Sequence, residues 1–431
     1  MKKIIYLGII ISTLNVFSQT ILTKEQALQS LLENNYNVKL AKNDVRIAAN
    51  NASIYNTGFL PSVSANAGGS YTNNNQETEA GDGSITTNNG LENQNYSASV
   101  GINYTLFDGF NRKYLSRQLQ EQVSMSELEA RAVLEQAILD VYVAYYQTAE
   151  ITENVNIMRE ALEISKQRLQ RSKYQYKFGQ TNKLSILNAE VDVNNDSIAY
   201  INTKLVLDAS KRNLLLLLGD TEPRDFTVET MIDFIPITDL ESLLVDLPQN
   251  SSMQQIETLL EISHYNSKIS KSGYLPRLGV NTSYGWSENK NPITATISET
   301  MTYGLNTGVS LSWNIFDGGA TKTRVQNAQI NQENQLLVKE QLEHQLRNAI
   351  TNSYYEYQNK RFVLQAQEQN LLTAQTNFTR TQDQFKIGRV SSVEYRQAQL
   401  NLLNAQTTIL AAKYDAKLVE LQLLQLTGKL L

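Results

Sequence analysis

The sequence predicts an α+β membrane protein: a duplicated chain in which long α-helical coiled-coil hairpins alternate with four β-strands that only other copies of the chain can complete into a barrel. Three observations predict it. The second half repeats the first at a fixed spacing, four short runs alternate strictly between apolar and small polar side chains, and two runs of about 70 residues are almost free of glycine and proline.

Of the 431 residues, the first nineteen (1–19) carry Lys2 and Lys3, an apolar stretch over 4–17, and the small residue Ser18 before Gln19 and Thr20. That pattern is a cleavable signal peptide, and the stretch is short for a membrane anchor. Without Lys2 and Lys3 the chain has 36 basic and 43 acidic side chains, a net charge of −7, so nucleic acid is not expected as a partner. The absence of cysteine excludes disulfides, thiol catalysis and a lipid-acceptor cysteine. No later run approaches the roughly 18 apolar residues of a spanning helix, and mean hydropathy is −0.36. Any membrane crossing must then use strands.

The duplication is read residue by residue. Phe107-Asp108-Gly109 returns as Phe316-Asp317-Gly318, Tyr145-Tyr146 as Tyr354-Tyr355, Tyr176-Lys177-Phe178-Gly179 as Phe385-Lys386-Ile387-Gly388, and Leu218-Gly219 as Thr427-Gly428, always 209 positions on. Leu60-Pro61 matches Leu275-Pro276 at 215, which puts six extra residues in a loop of the first half. A first repeat over 20–218 and a second over 251–431 then flank a segment at 219–250.

Each repeat opens with a helix, over 23–56 and 251–272; Thr23 with Gln26 resembles a capping box. A strand hairpin follows, over 62–106 and 277–315. In the first, Val63, Ala65, Ala67 and Tyr71, then Tyr96, Ala98, Val100, Ile102, Tyr104 and Leu106, alternate with Ser, Asn, Gly and Thr. In the second the apolar members are Leu278, Val280, Tyr284 and Trp286, then Tyr303, Leu305, Val309, Leu311, Trp313 and Ile315. About 9 to 11 residues per run suit a tilted membrane strand. A soluble sheet with one buried face would alternate too, but its solvent face would carry more Lys and Glu, whereas here Arg277 is the single charge. Tyr71, Tyr96, Phe107, Trp286, Tyr303, Trp313 and Phe316 form the expected aromatic girdle.

Four strands leave open edges in outer-membrane lipid, which no water satisfies, so copies of the chain must complete the sheet. Two copies give 8 strands, which side chains nearly fill, and three give 12 with room for a pore, so three is favoured. The polar stretches 73–94 and 287–302 read as outward loops, and every helix then lies on the periplasmic side.

The helical hairpins occupy 110–218 and 318–428. At about 1.5 Å per residue their first helices would span roughly 100 Å. Ile151, Val155, Met158, Leu162, Ser165, Leu169, Ser172 and Tyr176 step by four and three, a coiled-coil seam matched by Leu364, Leu371, Phe378 and Phe385. The return helices offer Leu184, Leu187, Val191, Ile198, Ile201 and Leu205, then Val393, Leu400, Leu403, Leu410 and Tyr414. Gly179 and Gly388 mark the turns. The segment 219–250, with Pro223, Pro236 and Pro248, reads as a small mixed piece against the helices.

No catalytic constellation, metal set or phosphate loop stands out, His264 and His344 being the only histidines, so no enzyme and no cofactor is expected. Hairpins entered at Leu-Pro, left at Phe-Asp-Gly and followed by a helical hairpin turning at Gly resemble TolC-type outer-membrane efflux and secretion channels, over nearly the whole chain and twice. The resemblance implies a homotrimer with a 12-stranded transmembrane barrel, a periplasmic α-barrel and an equatorial domain at 219–250. It also implies docking to a periplasmic adaptor (membrane fusion) protein fed by an inner-membrane pump, in drug efflux, metal efflux or type I secretion. The family's tip motif falls on 174–190 and 383–399. Its acidic position is Glu394 in the second hairpin but Ser185 in the first, and the position of its usual Arg holds Val390, with Arg389 beside it. The aperture residues expected from this are Glu394 with Arg389, Arg396 or Lys183. The expected adaptor contacts are the tips at 177–182 and 386–392, centred on Gly179, Gln180, Thr181, Gly388, Arg389 and Val390. The competing reading is a coiled-coil scaffold with a small β-domain and no transport role.

Overall fold

A computed structural model describes residues 20–220, 225–237, 239–292 and 295–430; the expected signal peptide lies outside them. In chain order the elements of the first repeat are β1 (Thr20–Leu22), α1 (Lys24–Asn34), α2 (Tyr36–Asn51), β2 (Ser62–Glu79), β3 (Ile85–Phe107), α3 (Asn111–Lys177) and α4 (Lys183–Leu218). Then follow β4 (Phe226–Val228), α5 (Leu240–Val245), α6 (Ser251–Ser272), β5 (Arg277–Lys290), β6 (Glu299–Ser312), α7 (Ala320–Lys386) and α8 (Ser392–Leu426). The duplication is visible in the helices: α3 and α7 have 67 residues each. The chain forms two compact units, one of residues 41–130 and 251–343, the other of residues up to 40, 131–250 and 344–431.

The first unit holds the sheet, four antiparallel strands in the order β2-β3-β5-β6. Its registers set like with like: Ala65 faces Val100, Val100 faces Tyr284, and Tyr284 faces Leu305 on one side, while Ser64, Gly101, Ser283 and Asn306 line up on the other. β2 and β3 run to 18 and 23 residues, longer than the alternating runs, and most of the polar stretch expected as a loop is paired strand. Polarity alone does not break a ladder. The chain reverses only at Asp82, whose Oδ1 accepts from the Ser84 N–H at 3.0 Å, beside Gly83 at φ 79°. In the second hairpin β6 ends at Ser312, so Trp313 and Ile315, expected in the strand, lie beyond it; Trp313 Nε1 donates to the Tyr274 carbonyl at 3.1 Å.

Each Phe-Asp-Gly turn starts a long helix. Asp108 accepts from the Arg112 N–H and from its guanidinium, both at 3.0 Å. Asp317 accepts from the Thr321 N–H at 2.8 Å and its hydroxyl at 2.6 Å. Gly109 has φ 68°, and a Cβ there would stand 2.7 Å from the Ser272 carbonyl oxygen, so only glycine fits.

The helix expected over 23–56 is two helices broken at Asn35, the second ending at Asn51. The Asn35 Oδ1 caps α2, accepting from Asn37 N–H at 2.9 Å and Val38 N–H at 3.1 Å, and its Nδ2 donates to the Leu217 carbonyl at 2.7 Å. Asn250, 215 positions on, donates to the Leu426 carbonyl at 2.9 Å in the same way. In the second unit the core gathers Leu31, Val141, Tyr145, Leu214, Leu218, Phe226 and Tyr414. β4 pairs in parallel with β1. The irregular run 229–235 is pinned by helix side chains. Lys413 Nζ and Tyr414 Oη donate to the Thr230 carbonyl at 3.1 and 3.3 Å, and Lys417 Nζ donates to that of Asp233 at 2.7 Å. Glu420, fully buried, accepts from Lys417 at 2.5 Å and from the Ile235 N–H at 3.2 Å. Burial pushes the Tyr145 phenol, which donates to the Leu22 carbonyl at 2.8 Å, up to about 12.

Candidate functional site

Two surfaces carry the functional geometry, one in each unit, and the sheet is the first. Among the described residues nothing covers either of its faces: β2 is exposed along its whole length, and Val309, Leu311, Leu305 and Tyr303 are each about 70% exposed. Among the described residues nothing pairs with either outer edge, β2 or β6. One face is apolar, with Tyr71, Tyr96, Trp286 and Tyr303 toward the hairpin ends and Phe107 toward the helices. Where the four strands pair, the other face is Ser, Asn, Gly and Thr, apart from Arg277 at the start of β5. A soluble sheet buries one face; this one buries neither, and an apolar band without a protein partner is satisfied by lipid. Among the described residues no helix is long and apolar enough to cross a membrane.

The second surface is the pair of helix tips. Both turns are built alike: Gln180 N–H donates to the Gln175 carbonyl at 2.8 Å, Arg389 N–H to that of Gln384 at 2.9 Å, and Gly179 and Gly388 stand at φ 72° and 76°. This closure needs a left-handed residue after the helix, which glycine supplies. Asn182 then caps α4, and Ser391 caps α8 in a box with Glu394. Gln180, Arg389 and Lys183 are exposed, and Thr181 and Val390 are half-buried. Phe178 and Ile387, equivalent positions of the two halves, are about 70% and 65% exposed at the apex, and sequence reasoning did not single them out.

The expected aperture residues do not meet. The Glu394 carboxylate turns back to its own helix start, accepting from the Ser391 N–H at 2.7 Å and hydroxyl at 2.8 Å. Those bonds hold its pKa below the usual carboxylate range, the backbone bond contributing most. Among the described residues, Arg389 and Lys183 form no ion pair within the chain.

Arg396 instead enters a buried network that joins α3, α4 and α8. It grips Asp196 with two parallel bonds, 2.7 and 2.8 Å, and lies 3.5 Å from Asp192. Arg168 pairs with Asp192 from α3. Ser165 donates to Asp196 at 2.5 Å, and Gln399 donates to the Ala161 carbonyl at 2.9 Å. Burial alone would lower the pKa of Arg396, but Asp196 and Asp192 outweigh it and the guanidinium sits above its ordinary value. Next to Arg396, Tyr395 stacks on Phe385 at 4.6 Å, and the Arg171 guanidinium lies 5.3 Å from the Phe385 ring. Ser165 was expected in the α3 seam, but the two aspartates were missed. They lie 200 positions or more before their Arg396 partner, and only their spacing of four on one helix marked them in the sequence.

Residues 27–220 and 246–429 match the model of the family described as outer membrane efflux protein. The chain is 19% identical to the outer membrane efflux protein BepC of Brucella suis, over 96% of this chain and 89% of that one. It is 21% identical to the toluene efflux pump outer membrane protein TtgC of Pseudomonas putida, over 94% and 82%. Among solved structures, the fold resembles the CmeC outer membrane channel of Campylobacter jejuni, with TM-score 0.76, 17% identity, and 94% and 86% of the two chains covered. It also resembles CusC, with TM-score 0.75, 18% identity, and 95% and 93% covered.

Proposed function

This chain belongs to the outer membrane efflux protein family, and from that premise we propose that three copies form one outer-membrane exit duct, each giving four strands to a 12-stranded barrel. The duct receives substrates from an inner-membrane pump through a periplasmic adaptor, in efflux or in type I secretion. The observation that supports this best is the sheet with two open edges and two uncovered faces, because only neighbouring copies can satisfy those edges in lipid. The tips, 177–182 and 386–392, meet the adaptor, with Phe178 and Ile387 as apolar contacts beside Gly179, Gln180, Thr181, Gly388, Arg389 and Val390.

The resting channel is closed at its periplasmic end, and the Arg396–Asp196–Asp192–Arg168 network holds the tip helices in the closed arrangement. Glu394 has a local capping role. A buried charge pair broken on one side loses about 3 to 5 kcal/mol, and about 1.4 kcal/mol is already tenfold in an equilibrium. Planar-bilayer recording of the purified oligomer tests both levels. Small steady conductance is expected from the unmodified channel, with at least tenfold greater open probability for Arg396→Ala and Asp196→Asn and little change for Glu394→Ala. Absence of any channel would overturn the duct, and wild-type gating in both network variants would overturn the aperture assignment.

A further inference from the structure

The polar face of the sheet is nearly free of charge, and its one exception has a defined place. Where all four strands pair, that face presents Ser62, Ser64 and Asn66 on β2, Asn103, Gly101 and Ser99 on β3, and their partners on β5 and β6. Arg277 begins β5 on the same face, two residues before Gly279, and pairs directly with Ser312 of β6. It is exposed, and among the described residues it has no ion-pair partner. The acids of the two Phe-Asp-Gly turns at that end are engaged elsewhere: Asp108 is 3.0 Å from Arg112, and Asp317 caps α7 with Arg324 3.9 Å away.

We propose that Arg277 is the charge selector of the duct: one guanidinium per copy, set at the helix-side end of the barrel, that favours anionic solutes bearing carboxylate or phosphate over cations of equal size. The inference rests on the barrel reading above, which makes the polar face a water-filled wall and repeats Arg277 around it. A guanidinium stays charged at every physiological pH. Its field reaches about 8 Å at physiological ionic strength, and among the described residues no other fixed charge on that face, where the four strands pair, opposes it. Rings of arginine or lysine select anions by this means in other pores.

The chain has no cysteine, so a reporter thiol can be read cleanly. Ser312→Cys is placed beside Arg277 in the reconstituted channel, and its modification rates by an anionic and a cationic methanethiosulfonate of similar size are compared. With Arg277 present, the anionic-to-cationic rate ratio is expected to exceed that in the Arg277→Gln background by about threefold or more, and to converge on it in high salt. Arg277→Lys should keep the ratio. A ratio unchanged by Arg277→Gln would overturn the charge selector while leaving the duct intact. A Ser312→Cys thiol that neither reagent reaches, with Leu311→Cys on the opposite face reactive in water, would instead overturn the barrel reading.

Discussion

At the scale of single residues, hydrogen bonds decide what a charge does. Glu394 and Arg396 are two positions apart on α8, yet one carboxylate is committed to its own N-terminus while the guanidinium reaches across to α4. The capping role has a pH signature. A carboxylate with a lowered folded pKa contributes stability that is complete above its unfolded value and is lost as pH falls through the folded one. Hydrogen exchange at the first turn of α8 should therefore be insensitive to Glu394 protonation above the ordinary glutamate range. Protection should fall as the pH drops below that range, and Glu394→Gln should remove most of this step. An acid step of equal size in Glu394→Gln would assign it to another group. The sequence offered Glu394 as a motif position and Arg396 as a nearby cation; it could not show which carboxylate each would find. Local spacing does reveal a capping box, as Thr23 and Gln26 demonstrate, and Ser391 with Glu394 has that same spacing.

At the scale of elements, periodicity located the helices well and their buried faces less well. On α7 the expected seam holds: Leu364, Phe378 and Phe385 are buried and Leu371 packs partly against them. On α4 it does not, because Leu184, Leu187, Val191, Ile198, Ile201 and Leu205 are all exposed while Ala189 and Asp196 are buried. On α8 it holds in part: Leu410 and Tyr414 are buried, but Val393 is exposed and Tyr395, Ala398, Leu402 and Ala405 form the inner row near the tip. Along most of α4 the small Ala189 and the ionic Asp196 take the inner positions, leaving its apolar stripe outward. An apolar stripe at helical spacing does not by itself say which face of a helix lies inside the chain. The glycines divide similarly. Gly219 and Gly179 share a φ near 70°, but a Cβ on Gly219 would lie 2.5 Å from the Asn34 carbonyl oxygen, and one on Gly179 would meet nothing within 4 Å. Left-handed backbone costs an ordinary residue about 1 to 2 kcal/mol. Gly179→Ala should therefore lower the thermal midpoint by a few degrees, whereas Gly219→Ala, which must also move backbone, should lower it far more or prevent folding. Equal midpoints for the two variants would contradict this account.

At the scale of the whole molecule, the duplication carried most of the information. Two copies of one strand-hairpin and helix-hairpin plan were legible from matched Phe-Asp-Gly and Gly positions, and with them the resemblance that the family match bears out. What the sequence left open was the pairing between repeats, β3 with β5, and the clamp on 229–235, since both depend on contacts with no local pattern. A pore built from several copies follows from one property, a four-stranded sheet whose edges β2 and β6 are unpaired among the described residues. Native mass spectrometry of the full-length protein, released from outer membranes in mild detergent, tests this directly by counting chains per particle. Three are predicted, with none of the protein folded and soluble without detergent; a stable monomer in plain buffer would contradict it.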